Sequence, residues 1–156
     1  NGRPPESIRK IGGLFKSPWD IRFAVLGGET YSLDNIEHDI IRKRFAEPRI
    51  HFAVNCASKS CPPLIPDAYE GDTIDTQLED STRSFLEDSA HNYFQGDILY
   101  VSSIFKWYKE DFADDPAAFF IGHVTGDLKA ALDSAADRIV VRYIDYDWSL
   151  NGRLSS

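Results

Sequence analysis

Pro48-Arg-Ile-His51-Phe-Ala-Val-Asn-Cys56-Ala-Ser-Lys-Ser-Cys61-Pro-Pro-Leu-Ile-Pro66 is the stretch on which the reading of this chain turns. Ile50 to Asn55 alternates, with Ile50, Phe52 and Val54 on one side and His51, Ala53 and Asn55 on the other, which predicts a half-buried strand. The three prolines at 62, 63 and 66 exclude a helix interior or a central strand, so Cys56 to Pro66 reads as a loop. Cys56 therefore stands where a strand gives way to a loop, a place from which a side chain meets both scaffold and ligand.

Working toward the N-terminus, Ser32 or Asp34 reads as the N-cap of a helix running to about Phe45, with Asp34 and Glu37 at capping-box spacing and Pro48 stopping it. Ile21 to Leu26 reads as a strand, closed by Gly27-Gly28 and paired with Glu29 to Tyr31. Before it, Pro4, Pro5, Gly12, Gly13 and Pro18 leave room only for a short helical turn around Ile8, Ile11, Leu14 and Phe15.

Toward the C-terminus, Ile74, Leu78, Phe85 and Leu86 form one stripe of an amphipathic helix over Thr73 to Glu87. Ile98 to Val101 reads as a strand. Ser102 or Ser103 caps a helix through Phe112, Pro116 opens a short one through Phe119 and Phe120, and Gly126 to Ala136 forms another. Ile139 to Tyr146, β-branched and aromatic, reads as a closing strand. The pattern predicts an α+β fold, a small mixed or antiparallel sheet packed against several helices. With 156 residues and no internal repeat or linker, a single domain over 1–156 is expected.

A hydrophobic share of 42% with 13% aromatic residues excludes general disorder. The net charge of −8 disfavours nucleic acid and anionic membrane surfaces, whose recognition needs clustered cations. Arg42, Lys43 and Arg44 form the one basic run and read as a solvated helix end. No apolar stretch approaches the roughly 20 residues of a membrane span, and no opening segment reads as a signal peptide, so the chain reads as soluble. It starts without Met, which leaves its compartment open. The two cysteines exclude a disulfide-dense scaffold and allow one bridge, two thiols or part of a metal site.

Four polar residues fall where a bland core has none. At about 100° per residue, Glu37 lies among Leu33, Ile36, Ile40 and Ile41, and an inward carboxylate needs a partner, a cleft or a proton. Asp111 falls between Trp107 and Tyr108 on the stripe of its helix; its bland reading is a bond to a loop amide or hydroxyl. His38 lies just off the Glu37 face, and His51 precedes Cys56 by five positions. His91 and His123 read as surface or loop residues.

Cys56 is the candidate nucleophile, with His51 or His38 as base and Glu37 or Asn55 as orienting group. Three other readings stay open: a bridge to Cys61, two incidental thiols, and a zinc site built from both cysteines and a His, which lacks a second ligand pair. No phosphate loop, dinucleotide fingerprint or serine elbow is present. No cofactor and no metal is expected.

Ser32-Leu-Asp-Asn-Ile-Glu37-His38, the run from Pro48 to Pro62, Lys106-Trp107-Tyr-Lys-Glu-Asp111-Phe and the ending Tyr146-Asp-Trp-Ser-Leu-Asn151 together resemble, in order, the domain-of-unknown-function 547 family. The matching positions are Glu37, His38, His51, Cys56, Cys61, Trp107, Asp111 and Trp148. Some members carry Ser where Cys61 stands, which implies that Cys56 matters more than an obligatory bridge. Some members carry an export signal and others a leucine zipper, which tilts localisation toward the periplasm or exterior. The resemblance also implies a papain-like or transglutaminase-like relationship. The family's upstream Asn-x-Tyr-Asn-Ala helix has no counterpart before Ile21, which implies a chain truncated at its N-terminus that pairs with another copy or with the missing segment.

The expected function is a cysteine-dependent hydrolase or acyl transferase acting on an amide, in a small molecule or a peptide. The alternative is a non-catalytic binding or scaffold module in which Trp107, Tyr108 and Trp148 form an aromatic surface, with Asn55, Cys61 and Asp111 as further binding residues.

Overall fold

The computed structural model describes residues 5–11 and 17–152. Residue contacts divide the chain into two compact units that interleave in sequence. One comprises Asn1–Glu47, Cys56–Lys59 and Asp147–Ser156, the other Pro48–Asn55 and Ser60–Tyr146.

In the first unit, β1 (Ala24–Leu26) and β2 (Glu29–Tyr31) form the expected antiparallel hairpin, although β1 is shorter than the run from Ile21. Gly27 and Gly28 sit at φ +58° and +86°, the pair of positive values that a two-residue turn matching strand twist requires. The expected turn near the N-terminus is a 3-10 helix at Ile8–Lys10, while Leu14 and Phe15 lie outside the described residues. A second 3-10 turn, Pro18–Asp20, is capped by the Ser17 hydroxyl.

The helix after β2 differs from its expected form. Asn35–Ile41 is a π-helix, continued by α1 (Arg42–Arg44), and the Arg42 N–H reaches the Glu37 carbonyl five residues back. The extra residue per turn displaces every position computed at α-helical pitch, so the wheel that set Glu37 among isoleucines does not apply. Its N-terminus is closed by Ser32: the hydroxyl accepts from the Asn35 N–H at 3.1 Å, and the Asn35 side chain accepts from the Ser32 N–H at 3.4 Å. That is a reciprocal box with Asn in the third position, while Asp34 makes no capping bond. Residues 57–59 and 6–7 lie on either side of the 149–151 segment, through Ser58↔Leu150 and Ser7↔Ser149 bridges.

The second unit holds the core. Pro48–Phe52 is a 3-10 helix, which overturns the strand expected over Ile50 to Asn55. The reason is visible in burial: His51 and Phe52 are adjacent and both buried, which a one-sided alternating strand forbids. A loop then runs to α2 (Ile74–Leu86), which buries Leu78, Ser81, Thr82, Phe85 and Leu86 at helical spacing and leaves Ile74 exposed. Asn92 closes the turn beyond α2, donating to the Phe85 carbonyl at 2.8 Å and accepting from the Ser102 N–H at 3.0 Å.

Tyr93–Gln95 forms β3, absent from the expected elements, and pairs antiparallel with β4 (Ile98–Val101). The expected helix to Phe112 breaks: α3 is Ile104–Trp107, and Lys109–Phe112 is a separate 3-10 turn that ends at Ala113 with φ +53°. Then follow α4 (Pro116–His123), capped by Asp115, and α5 (Gly126–Ala135). β5 (Val140–Tyr143), shorter than the run from Ile139 to Tyr146, pairs parallel to β4, so the three-stranded sheet is mixed and the fold is α+β as expected. Phe52, Phe85, Phe105 and Phe120 are fully buried with Leu86, Leu99, Val101 and Leu132. The Phe52 ring lies 5.3 Å from Phe85, 5.8 Å from Phe105 and 5.9 Å from Phe112. This cluster fixes the 3-10 helix that carries His51.

Candidate functional site

The turn carrying Phe52 into the core also turns His51 inward, and its side chain is 1% exposed. The break after α3 lets the Lys109–Phe112 turn swing Asp111 toward it: His51 Nε2 lies 2.7 Å from Asp111 Oδ2. A carboxylate only accepts, so Nε2–H is the donor and the bond fixes that nitrogen as protonated. Tyr108 covers one face of the imidazole, ring centres 4.0 Å apart and planes 26° from parallel. Phe112 lies 5.6 Å away. His51 is thereby held by one charge-assisted bond and two aromatic faces.

Neither cysteine is free: Cys56 and Cys61, the two in the sequence, are disulfide-bonded. Of the alternatives open for the pair, the bridge is the one observed. It withdraws the thiolates that zinc would need. Among the described residues, no three His, Cys, Asp or Glu side chains gather as a ligand set. The bridged sulfurs carry no proton, so the neighbouring hydroxyls are donors: Ser58 to Cys56 Sγ at 3.1 Å and Tyr146 to Cys61 Sγ at 3.2 Å. Ala57, at φ +62°, turns the loop between them. Asn55 Nδ2 donates to the Pro62 carbonyl at 2.7 Å, clamping the two ends of the loop outside the bridge. This amide braces a loop.

Tyr146 also connects that loop to Trp107, ring centres 4.8 Å apart and tilted by 57°. Trp107 is 45% exposed, so one aromatic contact joins a surface indole to the phenol on Cys61. In the second unit the structure thus brings together two groups of the expected residues, His51 with Asp111 and Cys61, through Tyr146, with Trp107.

The remaining candidates belong to the first unit. Glu37 is half-buried inside the π-helix. His38 Nδ1 accepts from Arg42 at 3.2 Å, and its Nε2 lies 3.6 Å from Asp34. Trp148 packs edge-on against Trp19 at 6.0 Å with the Arg9 guanidinium 5.0 Å over its ring, and the Ser7 hydroxyl donates to its carbonyl. Its cation is therefore supplied internally. Beside it, Asp147 accepts from the Ser149 hydroxyl and N–H, which hold its carboxyl below the usual carboxylate range.

One cluster escaped the sequence reading. Glu79 on α2 receives Arg49 at 3.4 Å, Arg83 at 3.3 Å and a hydrogen bond from His123 Nδ1 at 2.9 Å, so His123 is tied to an arginine–glutamate cluster in the second unit. The Glu79/Arg83 spacing of four was the legible signal; Arg49 and His123 come from distant segments.

Among the described residues, no helix is long and apolar enough to cross a membrane. Comparisons with curated proteins and with solved structures returned no match. The family model for the protein of unknown function DUF547 matches residues 8–86, half of the chain, a span that includes Glu37, His38, His51, Asn55 and both cysteines and stops before Trp107, Asp111 and Trp148. On that match, the chain belongs to the DUF547 family.

Proposed function

We propose that this chain is a non-catalytic binding module in its bridged form, and that it presents Trp107, Tyr146 and the acid Glu110 to a peptide ligand carrying lysine or arginine. The observation that carries the reading is the half-exposed Trp107 indole braced by Tyr146 at 4.8 Å. Large, rigid aromatic groups with few rotamers contribute most of the energy at recognition surfaces, and an indole face attracts cations. The net charge of −8 favours a basic partner. Against a catalytic role in this form stand the missing thiol and the nearly complete burial of the His51 ring.

Calorimetric titration of the oxidised protein with a Lys-rich peptide and a Glu-rich peptide of equal length tests it. Binding of the first, weakened at high salt and lost in Trp107→Ala, is expected. Equal response to both peptides, or unchanged binding by Trp107→Ala, would sink the reading.

A second reading retains the cysteine hydrolase or acyl transferase, and the His51–Asp111 pair favours it. An imidazole oriented by a carboxylate is the base unit that a thiol nucleophile uses. Here Asp111 supplies the orienting group, in place of the Glu37 or Asn55 expected. The reading requires Cys56 to be reduced. Iodoacetamide should then alkylate reduced Cys56 at neutral pH faster than a free-cysteine peptide, and an equal rate removes this reading.

A further inference from the structure

We infer that Tyr93 and Tyr100 form an oxidative modification site: a one-electron oxidant couples their rings into a dityrosine that staples β3 to β4. One hairpin of the second unit holds the pair. Tyr93 and Tyr100 stand opposite each other in the antiparallel register, and their rings stack with centres 4.5 Å apart and planes 16° from parallel. Leu99 and Val101, the neighbours of Tyr100 on β4, are fully buried, so alternation turns both phenols to the other face of the sheet, away from the aromatic core. Tyr93 lies on an edge strand and is 40% exposed, which leaves its ring room to turn. The composition points the same way by an independent route. The chain contains no methionine and neither cysteine is free, so the sulfur groups that ordinarily absorb oxidising equivalents are missing. Tyrosine and tryptophan are left to take the oxidation.

The chemical class of oxidant is a peroxidase working on hydrogen peroxide. Each phenol gives up one electron and its hydroxyl proton and becomes a neutral tyrosyl radical, with the unpaired spin shared between the oxygen and the ring carbons ortho to it. A carbon–carbon bond then forms between an ortho carbon of Tyr93 and an ortho carbon of Tyr100. Each of those carbons releases its hydrogen as a proton while the phenolic oxygen takes one up, which restores both aromatic rings. The pair thereby loses two electrons and two protons, and peroxide accepts them to become two waters. Because the stack holds the rings together before the bond forms, the coupling is unimolecular and outruns coupling between chains in dilute solution. The product ties the short edge strand Tyr93–Gln95 to the central strand of the mixed sheet. The site does not rest on the peptide-binding reading.

Treatment of the full chain in dilute solution with a peroxidase and hydrogen peroxide, followed by mass spectrometry, dityrosine fluorescence and peptide mapping, tests the inference. A monomer lighter by two hydrogens, with Tyr93 joined to Tyr100, is the expected result. Cross-linked dimers as the main product, a monomer linked through a different pair of tyrosines, or no dityrosine at all overturns the proposal. Tyr93→Phe and Tyr100→Phe each keep the ring and remove the hydroxyl, so each should abolish the intramolecular link, whereas Tyr143→Phe should leave its yield unchanged. A link that survives either of the first two changes, or is lost with the third, overturns the proposal. The two tyrosines are close in sequence as well as in space, so the same treatment in urea separates the stack from chain proximity. The yield of the link should fall several-fold in the unfolded chain, and an equal yield would show that the folded stack does not direct the reaction. The urea comparison and the mapping use no variant, so they decide the matter even where a substitution disturbs the fold.

Discussion

His51 Nε2 and Asp111 Oδ2, sixty positions apart in the chain, are joined at 2.7 Å. The pair accounts for two residues that would otherwise be costly, a histidine with a 1% exposed side chain and an acid turned inward from a helical segment. Each satisfies the other, so its first consequence is for stability.

Asp111→Ala removes the acceptor and leaves a buried imidazole N–H without it. The expected cost is about 1–3 kcal/mol, the penalty for orphaning a buried polar group. Urea unfolding should show a lower midpoint at an unchanged slope. A midpoint equal to wild type would show that the bond contributes nothing.

How much of this was legible depended on whether burial was periodic. The stripe of Leu78, Phe85 and Leu86 announced α2, and Gly27-Gly28 announced the first hairpin, because both signals are local. The strand expected over Ile50 to Asn55 failed because six residues of alternation fit a 3-10 turn whose His51 is inside for Asp111 and whose Phe52 is inside for the aromatic core. Glu37 was placed by an α-helical wheel, and only backbone geometry reveals the π pitch. Cys56 and Cys61 stand out in the sequence, but spacing alone does not choose between a nucleophile and a bridge. Asp111 was found as an inward acid and its histidine partner was not, since pairing between distant segments leaves no local pattern.

Thr82 offers a change in the opposite direction. Its Oγ1 is fully buried on α2 and finds no hydrogen-bond partner among the described residues. Valine keeps the branched shape and replaces the hydroxyl with a methyl, so the desolvation penalty disappears while packing is retained. Thr82→Val should stabilise the fold by about 1 kcal/mol, read as a raised urea midpoint. A destabilised Thr82→Val would mean that the hydroxyl is satisfied after all.

The bridge closes a loop of six residues, Cys56 to Cys61. In the chain-entropy account, a loop that short restrains the unfolded ensemble by about 2 kcal/mol. A double Cys56→Ala/Cys61→Ala variant is therefore expected to remain folded but lose about that much stability. Wild type treated with reductant should approach the same value. Equal stability of the variant and the oxidised protein would indicate that native-state strain cancels the gain.

Asp88 supplies the pH dependence. It lies in the turn after α2, where the Ala90 N–H donates to its carboxylate at 2.9 Å and His91 Nδ1 approaches to 2.9 Å. The backbone bond first, and His91 after it, hold the carboxyl below its ordinary value, while burial opposes them. A depressed folded pKa means that the unfolded chain takes up the proton first as acid is added. The stabilisation is therefore complete above about pH 4, the ordinary aspartate value, and is lost as pH falls through the lower folded value. Asp88→Asn removes this titration, so its unfolding free energy should fall less steeply than that of wild type below about pH 4. Urea midpoints measured from pH 6 to pH 2.5 provide the comparison, and parallel acid limbs for the two proteins would show that the Asp88 carboxylate does not contribute to acid sensitivity.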